Sequence, residues 1–168
     1  MRLPADATLI VVDAEAAGAP EAAANVASLV GAWRQEGLPV VRAREPDAGE
    51  GFPPQDAAKR GGEHEMALGG ASAFAGAELE RLLEEIGATT LVLCGSAAKV
   101  AESARDAAAL GYQVYIVADA CFGAEAARRL ATLAPDCAAL TDAASALAAA
   151  SLAKFRQRWK AERSRSGR

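Results

Sequence analysis

Residues 89–120, TTLVLCGSAAKVAESARDAAALGYQVYIVADA, decide the fold. Thr89–Cys94 is a short apolar run that ends at Gly95, and Gln113–Val117 is a second one that ends in Ala118-Asp119-Ala120. Between them Ala97–Leu110 is rich in strong helix formers and stops at Gly111, a residue suited to the left-handed turn that closes a helix. Two strands joined by such a helix lie parallel, linked by a right-handed crossover. The same alternation continues on both sides. Thr8–Val12 is a β-branched run ending at Asp13, and a helix starts at Pro20 with Val26, Leu29, Val30 and Trp33 on one face and Gly37 as its stop. Pro39–Ala43 is a short strand, and Ala77–Ile86 is a helix with Leu79, Leu82, Leu83 and Ile86 at i, i+3, i+4, i+7. Ala124–Leu133 is helical, Cys137–Leu140 a weak strand, and a long final helix follows Asp142, its N-cap. This order predicts an α/β domain with a doubly wound, mostly parallel, Rossmann-like sheet and helices on both faces. Ligands of such sheets lie outside the carboxyl ends of the strands, where Asp13, Arg44, Gly95, Ser96 and Asp119 fall.

The chain has 168 residues, of which 45 are alanine. The remaining large apolar side chains suffice for one core of about 150 residues and not for two. No apolar run approaches the roughly 20 residues of a membrane span. Met1-Arg2-Leu3-Pro4 leads straight into the first strand, so no signal peptide is expected and the chain reads as cytoplasmic. Cys94, Cys121 and Cys137 are widely spaced in apolar surroundings, which counts against a disulfide framework or a zinc knuckle. Charge is divided unevenly: residues 151–168 carry +6 and residues 1–150 carry −10. The organisation expected is an α/β domain over 1–150 and a basic helical tail over 151–168. Residues 44–76, rich in glycine, proline and charges, break the alternation and read as a long loop, either a cover for the crevice or the remnant of an element.

Three stretches, in order, resemble the isochorismatase-like cysteine hydrolases, the superfamily of nicotinamidases and N-carbamoylsarcosine amidases. Leu9-Ile10-Val11-Val12-Asp13 is similar to the family's opening strand and aspartate. Ser72-Ala73-Phe74-Ala75-Gly76-Ala77-Glu78-Leu79 resembles the SAF motif that leads into a helix, and Leu91–Cys121 resembles the long block around TARDA and DAC. The resemblance implies an isochorismatase-like fold and a triad of an aspartate after strand one, a lysine on a middle strand and a cysteine at the start of the helix after the CG strand. A helix N-terminus would lower that thiol's pKa, and the carboxylate would take its proton. Asp13 matches. Counting back from Ala104-Arg105-Asp106, the nucleophile's position falls on Lys99, or on Ala101 if the shorter loop after Gly95 is aligned later; the lysine's position falls near Leu68. The metal ligands of nicotinamidases, an aspartate with paired histidines, have no counterpart, because His64 is the only histidine. No metal and no cofactor are called for.

Asp13 and Lys99 are the candidate catalytic pair, expected to share one crevice within about 6 Å, the range over which opposite charges shift one another's pKa. A cation in a first helical turn opposes the dipole by about 0.3–1 kcal/mol, which points Lys99 towards an anion; its alternative is an ordinary helical pairing with Glu102 or Asp106. Gly95, Ser96 and Phe74 are candidate ligand contacts, and a small carboxylate or amide is the ligand implied. The leading reading is a member that has lost thiol-dependent hydrolysis and binds ligand only. A cysteine-free hydrolase of isochorismatase type, with Asp13 as general acid and Lys99 holding a substrate carboxylate, is one alternative. Binding of an acidic partner or nucleic acid by the tail is another, and the acidic body counts against nucleic acid. The apolar stripe Ala148, Leu152, Phe155, Trp159 on the final helix predicts a homo-oligomer. No membrane association is expected.

Overall fold

The computed structural model describes residues 4, 6–14, 19–45, 63–133 and 137–166. Strand and helix alternate as β1 (Thr8–Val12), α1 (Pro20–Glu36), β2 (Val40–Arg44), β3 (Glu63–Ala67), α2 (Glu78–Ile86), β4 (Thr90–Ser96), α3 (Ala97–Ala109), β5 (Gln113–Phe122), α4 (Ala126–Ala131), β6 (Ala139–Thr141) and α5 (Ala143–Ser166). The six strands form one sheet in the order β3-β2-β1-β4-β5-β6, and every neighbouring pair is parallel. This is the doubly wound α/β sheet expected from the alternation.

Two cores form because successive strand residues point to opposite faces. Ile10, Val12, Leu91 and Leu93 pack with Leu79 and Leu83 of α2 and Val100 and Ala104 of α3. On the other face Leu9, Val11, Val92 and Cys94 meet Val26, Leu29, Val30 and Trp33 of α1 and the first turns of α5. Burying each of these large side chains stabilises the fold by about 1.5–3 kcal/mol. Trp33 also keeps its polar edge satisfied, its Nε1–H donating to the Ala7 carbonyl at 2.8 Å.

The long loop read from residues 44–76 contains a strand. β3 pairs in register with β2, Glu63 opposite Val40 through Ala67 opposite Arg44. Its run EHEMA has a single large apolar residue, Met66, which enters the core, so it lacks the continuous apolar stretch that marks β1 and β4. Charge suits an edge strand because it discourages pairing with other chains. Glu63 is neutralised by Arg34 of α1 and by Arg42 of β2 at 3.9 Å. His64, which falls within the stretch read as a loop, is half-buried in this strand. Residues 46–62 of that loop lie outside the described residues.

The final helix starts at a doubly capped end. Asp119 Oδ1 accepts the Ala143 N–H at 2.7 Å, and Asp142 Oδ1 accepts the Ser145 N–H at 2.7 Å. The Ser145 backbone and hydroxyl hold the Asp142 carboxyl below its ordinary value. Ala143, Ala146 and Ala150 are buried, whereas every side chain described from Ser151 onward is exposed. Among the described residues no helix is long and apolar enough to cross a membrane.

Candidate functional site

The order of strands places the crevice. β1 and β4 are neighbours at the point where the winding reverses, and in open parallel sheets this switch point, at the carboxyl ends of the strands, is where ligands bind. β1 leads into Asp13 there, and β4 leads through Gly95 and Ser96 into α3.

Gly95 brings these two strands together. Its φ is +120°, and a Cβ placed on it would stand 2.1 Å from the carbonyl oxygen of Val12 and 2.9 Å from the carbonyl carbon. Only a residue without a side chain permits that approach. Gly95 lies opposite Cys121, and the pairing of β4 with β5 shifts register between Leu93 and Gly95. The position of Gly95 is thus dictated by strand packing. Ser96 ends β4 as the N-cap of α3, half-buried, and its hydroxyl makes no capping bond.

Asp13 carries φ +47°, a left-handed conformation rare for a residue with a side chain. Its N–H continues the β1–β2 ladder by donating to the Ala43 carbonyl at 2.8 Å, so the chain turns immediately after a fixed point. The carboxylate meets Lys99, third residue of α3, whose Nζ donates to Asp13 Oδ2 at 2.6 Å. The same ammonium donates to Glu45 Oε1, from the residue following β2. Lys99 and Asp13 are mostly enclosed, with side chains 18% and 19% exposed, while Glu45 is 56% exposed. Burial pulls the Lys99 ammonium down, but the hydrogen bonds and charges of Asp13 and Glu45 outweigh it and leave its pKa raised. The two carboxylates also answer the unfavourable dipole at the start of α3. Glu102, the alternative helical partner of Lys99, pairs with Arg105 instead.

Behind this cluster Ser103 is fully buried and joins two elements. Its hydroxyl donates to the Lys99 carbonyl at 2.7 Å and accepts the Ala73 N–H at 2.9 Å. Residues 72–75 are thereby pinned to the second turn of α3, and the Phe74 N–H closes a local turn on Ser72 Oγ at 3.1 Å. The Phe74 ring packs against Tyr112, centroids 6.2 Å apart, just before β5. Leu68, directly after β3, is buried in the α2–α3 core, as is Ala101.

The thiols are poorly placed for nucleophilic work. Burial drives the Cys94 thiol well above its ordinary value and pushes Cys121 up to about 12. Cys137 is half-buried, before β6. Among the described residues no group of three or more His, Cys, Asp or Glu side chains is arranged to hold a metal ion.

The model of the isochorismatase domain matches residues 9–145, most of the chain and every strand and helix just described up to the start of α5. The chain belongs to the isochorismatase family. A protein of the isochorismatase family from Chromobacterium violaceum is 27% identical and superposes with a TM-score of 0.74, covering 90% of this chain and 97% of that one. N-carbamoylsarcosine amidase from Thermoplasma acidophilum gives 21% identity and a TM-score of 0.68 over 85% of this chain and 97% of its own. The YcaC gene product of Escherichia coli, an octameric hydrolase of unknown specificity, gives 17% and 0.68 over 88% and 80%. The last two likenesses speak for the fold alone. Within this isochorismatase-family protein, Glu45 and Ser103 are the site residues that sequence reading passes over. Glu45 stands in a charged, glycine-rich stretch with no periodicity, and Ser103 looks like any small residue on a buried helix face; only the packing of β2 and of residues 72–75 onto α3 gives them partners.

Proposed function

We propose that this protein is a binding member of the isochorismatase family that has given up thiol-dependent hydrolysis and uses the β1–β4 crevice for a small carboxylate. The observation that carries the reading is the ion pair between Lys99 and Asp13. Counted back from Ala104-Arg105-Asp106, the nucleophile's position of the family falls on Lys99, or on Ala101 if the shorter loop after Gly95 is aligned later; neither is a cysteine, and the first placement puts an ammonium beside the aspartate where a thiol would stand. An ammonium is a poor nucleophile while protonated, and Asp13 and Glu45 hold it so. Leu68, near which the position of the family's lysine falls, supplies no charge. The chemistry left to the crevice is recognition of an anion by Lys99, with a small carboxylate as the class that fits one cation.

The test is a turnover assay with simple primary amides and with a vinyl ether of isochorismate type. No hydrolysis above background is expected, and treatment with iodoacetamide or the Cys94→Ala substitution is expected to change nothing. Activity abolished by both would overturn the reading. The second reading, hydrolysis without a thiol, has in its favour the position of Asp13 at the crevice. Turnover lost in Asp13→Asn and insensitive to iodoacetamide would establish it. In the ion pair Asp13 Oδ2 accepts the hydrogen bond of the Lys99 ammonium, so a substrate carboxylate would first have to draw Lys99 away.

Self-association through α5 is part of the same proposal. Leu152, Phe155 and Trp159 lie along one side of this helix and are 52%, 67% and 55% exposed, beyond the turns that dock on α1 and β5. Covering Phe155 and Trp159 would be worth about 1.5–3 kcal/mol each, and a two-fold interface makes each contact twice. The +6 of residues 151–168 is matched by the −10 of the rest of a second copy. Sedimentation velocity at micromolar concentration should show an oligomer that dissociates in Phe155→Ala/Trp159→Ala. A monomeric parent protein, or a double variant that remains assembled, would remove this interface.

A further inference from the structure

Lys99 holds two carboxylates and needs only one. Asp13 is mostly enclosed, its N–H is tied to Ala43, and the Gly95 contact fixes the strand end behind it. Glu45 is more than half exposed and reaches the ammonium from the chain leaving β2. Its backbone is nonetheless anchored, because the preceding carbonyl, that of Arg44, accepts the Leu68 N–H at 2.7 Å. Glu45 can therefore leave Lys99 by rotating its longer, exposed side chain into water, whereas the Asp13 carboxylate is short and mostly enclosed.

From this geometry we infer that Glu45 is an internal stand-in for the ligand, its carboxylate occupying the place on Lys99 Nζ that an incoming small carboxylate takes. The inference rests on the proposed carboxylate-binding role and adds the regulation of that site. Charge counting supports exchange over simple addition. The cluster of one ammonium and two carboxylates carries a formal −1, and a third carboxylate entering beside both would raise it to −2 within a few ångströms. Exchange leaves the cluster at −1 and releases Glu45 into water, where an exposed carboxylate is well solvated. Exposed ion pairs are weak, so the stand-in is displaceable and lowers apparent affinity only by the fraction of time it occupies Lys99. A neutral amide has no charge with which to displace it, so the arrangement also selects carboxylates over the corresponding amides.

The test is titration of the full chain with benzoate, with benzamide as the neutral control, followed by NMR shifts of the backbone amides of Gly95 and Lys99. Glu45→Gln should bind benzoate about three- to tenfold more tightly than the parent protein. Benzamide should gain nothing, and Lys99→Met should abolish benzoate binding. Glu45→Ala serves as a second variant should the glutamine substitution disturb folding. Benzoate affinity unchanged in both Glu45 variants, with binding still dependent on Lys99, would overturn the stand-in and leave the carboxylate site intact. A larger gain in Asp13→Asn than in Glu45→Gln would also overturn it, by assigning the displaced group to Asp13. Benzoate binding that is absent from every variant, or indifferent to Lys99, would overturn both the stand-in and the proposed function.

Discussion

Gly95→Ala is expected to destabilise the protein by about 3–5 kcal/mol, the sum of an overpacking cost and the cost of a side chain in a conformation open essentially to glycine. The methyl group would stand 2.1 Å from the Val12 carbonyl oxygen and 3.0 Å from the Val12 nitrogen, and both are backbone atoms of the central strand. A flexible side chain could swing aside, but β1 cannot, because it pairs with β2 on one edge and β4 on the other. Relief has to come from parting β1 and β4, the pair that forms the floor of the crevice. Typical domains have only about 5–15 kcal/mol in total, so the variant should lie close to its unfolding threshold. Gly111→Ala separates the two costs. Gly111 also has a positive φ, +91°, but nothing lies within 4 Å of a Cβ built there. It should lose about 1–2 kcal/mol, for backbone strain alone. Urea unfolding of the two variants decides the matter: equal losses would mean that the approach of Gly95 to Val12 carries no weight.

The parts of the molecule legible from sequence are those whose physics is local. β1 and β4 are continuous apolar runs, which only a strand buried on both faces requires. α2 declares itself by Leu79, Leu82, Leu83 and Ile86, and the stops at Gly37 and Gly87 are left-handed caps, as their glycines suggest. β3 was illegible because an edge strand buries one face at most. Its Glu63 and Glu65 look like loop residues until Arg34 and Arg42 are beside them. The site divides in the same way. Asp13 could be named in advance because it ends the first strand, and Lys99 because the family resemblance, counted back from Ala104-Arg105-Asp106, points to its position; the topology then brings them together at 2.6 Å. The lateral partners could not be so named. Which residue of a charged, glycine-rich stretch comes to face Lys99 depends on how β2 and β3 pair, and no spacing within residues 44–76 encodes that Glu45 is the one.

Lys99→Met is expected to cost about 2–3 kcal/mol at neutral pH, more than an exposed ion pair would and less than a fully buried one. Methionine preserves the unbranched stem and its packing, so the loss isolates the charge. Without the ammonium, Asp13 and Glu45 would face one another with no donor between them, and like charges held close repel. The dependence on pH carries the diagnosis. Because the folded-state pKa of Lys99 is raised above the ordinary 10.5, its contribution is fully present below that value and is lost as pH climbs through the raised one. The stability difference between the parent protein and Lys99→Met should therefore stay level from pH 7 to about 10 and shrink above the ordinary lysine range. Lys99→Arg should recover part of the loss, since a guanidinium keeps the charge but brings a planar fork to a place that holds a compact ammonium. Urea titrations of the three proteins at several pH values provide the measurement. A parent–methionine difference that is absent at pH 7, or that grows on the alkaline side, would show that Lys99 does not hold the two carboxylates in solution, and the crevice would then lack the cation on which an anionic ligand depends.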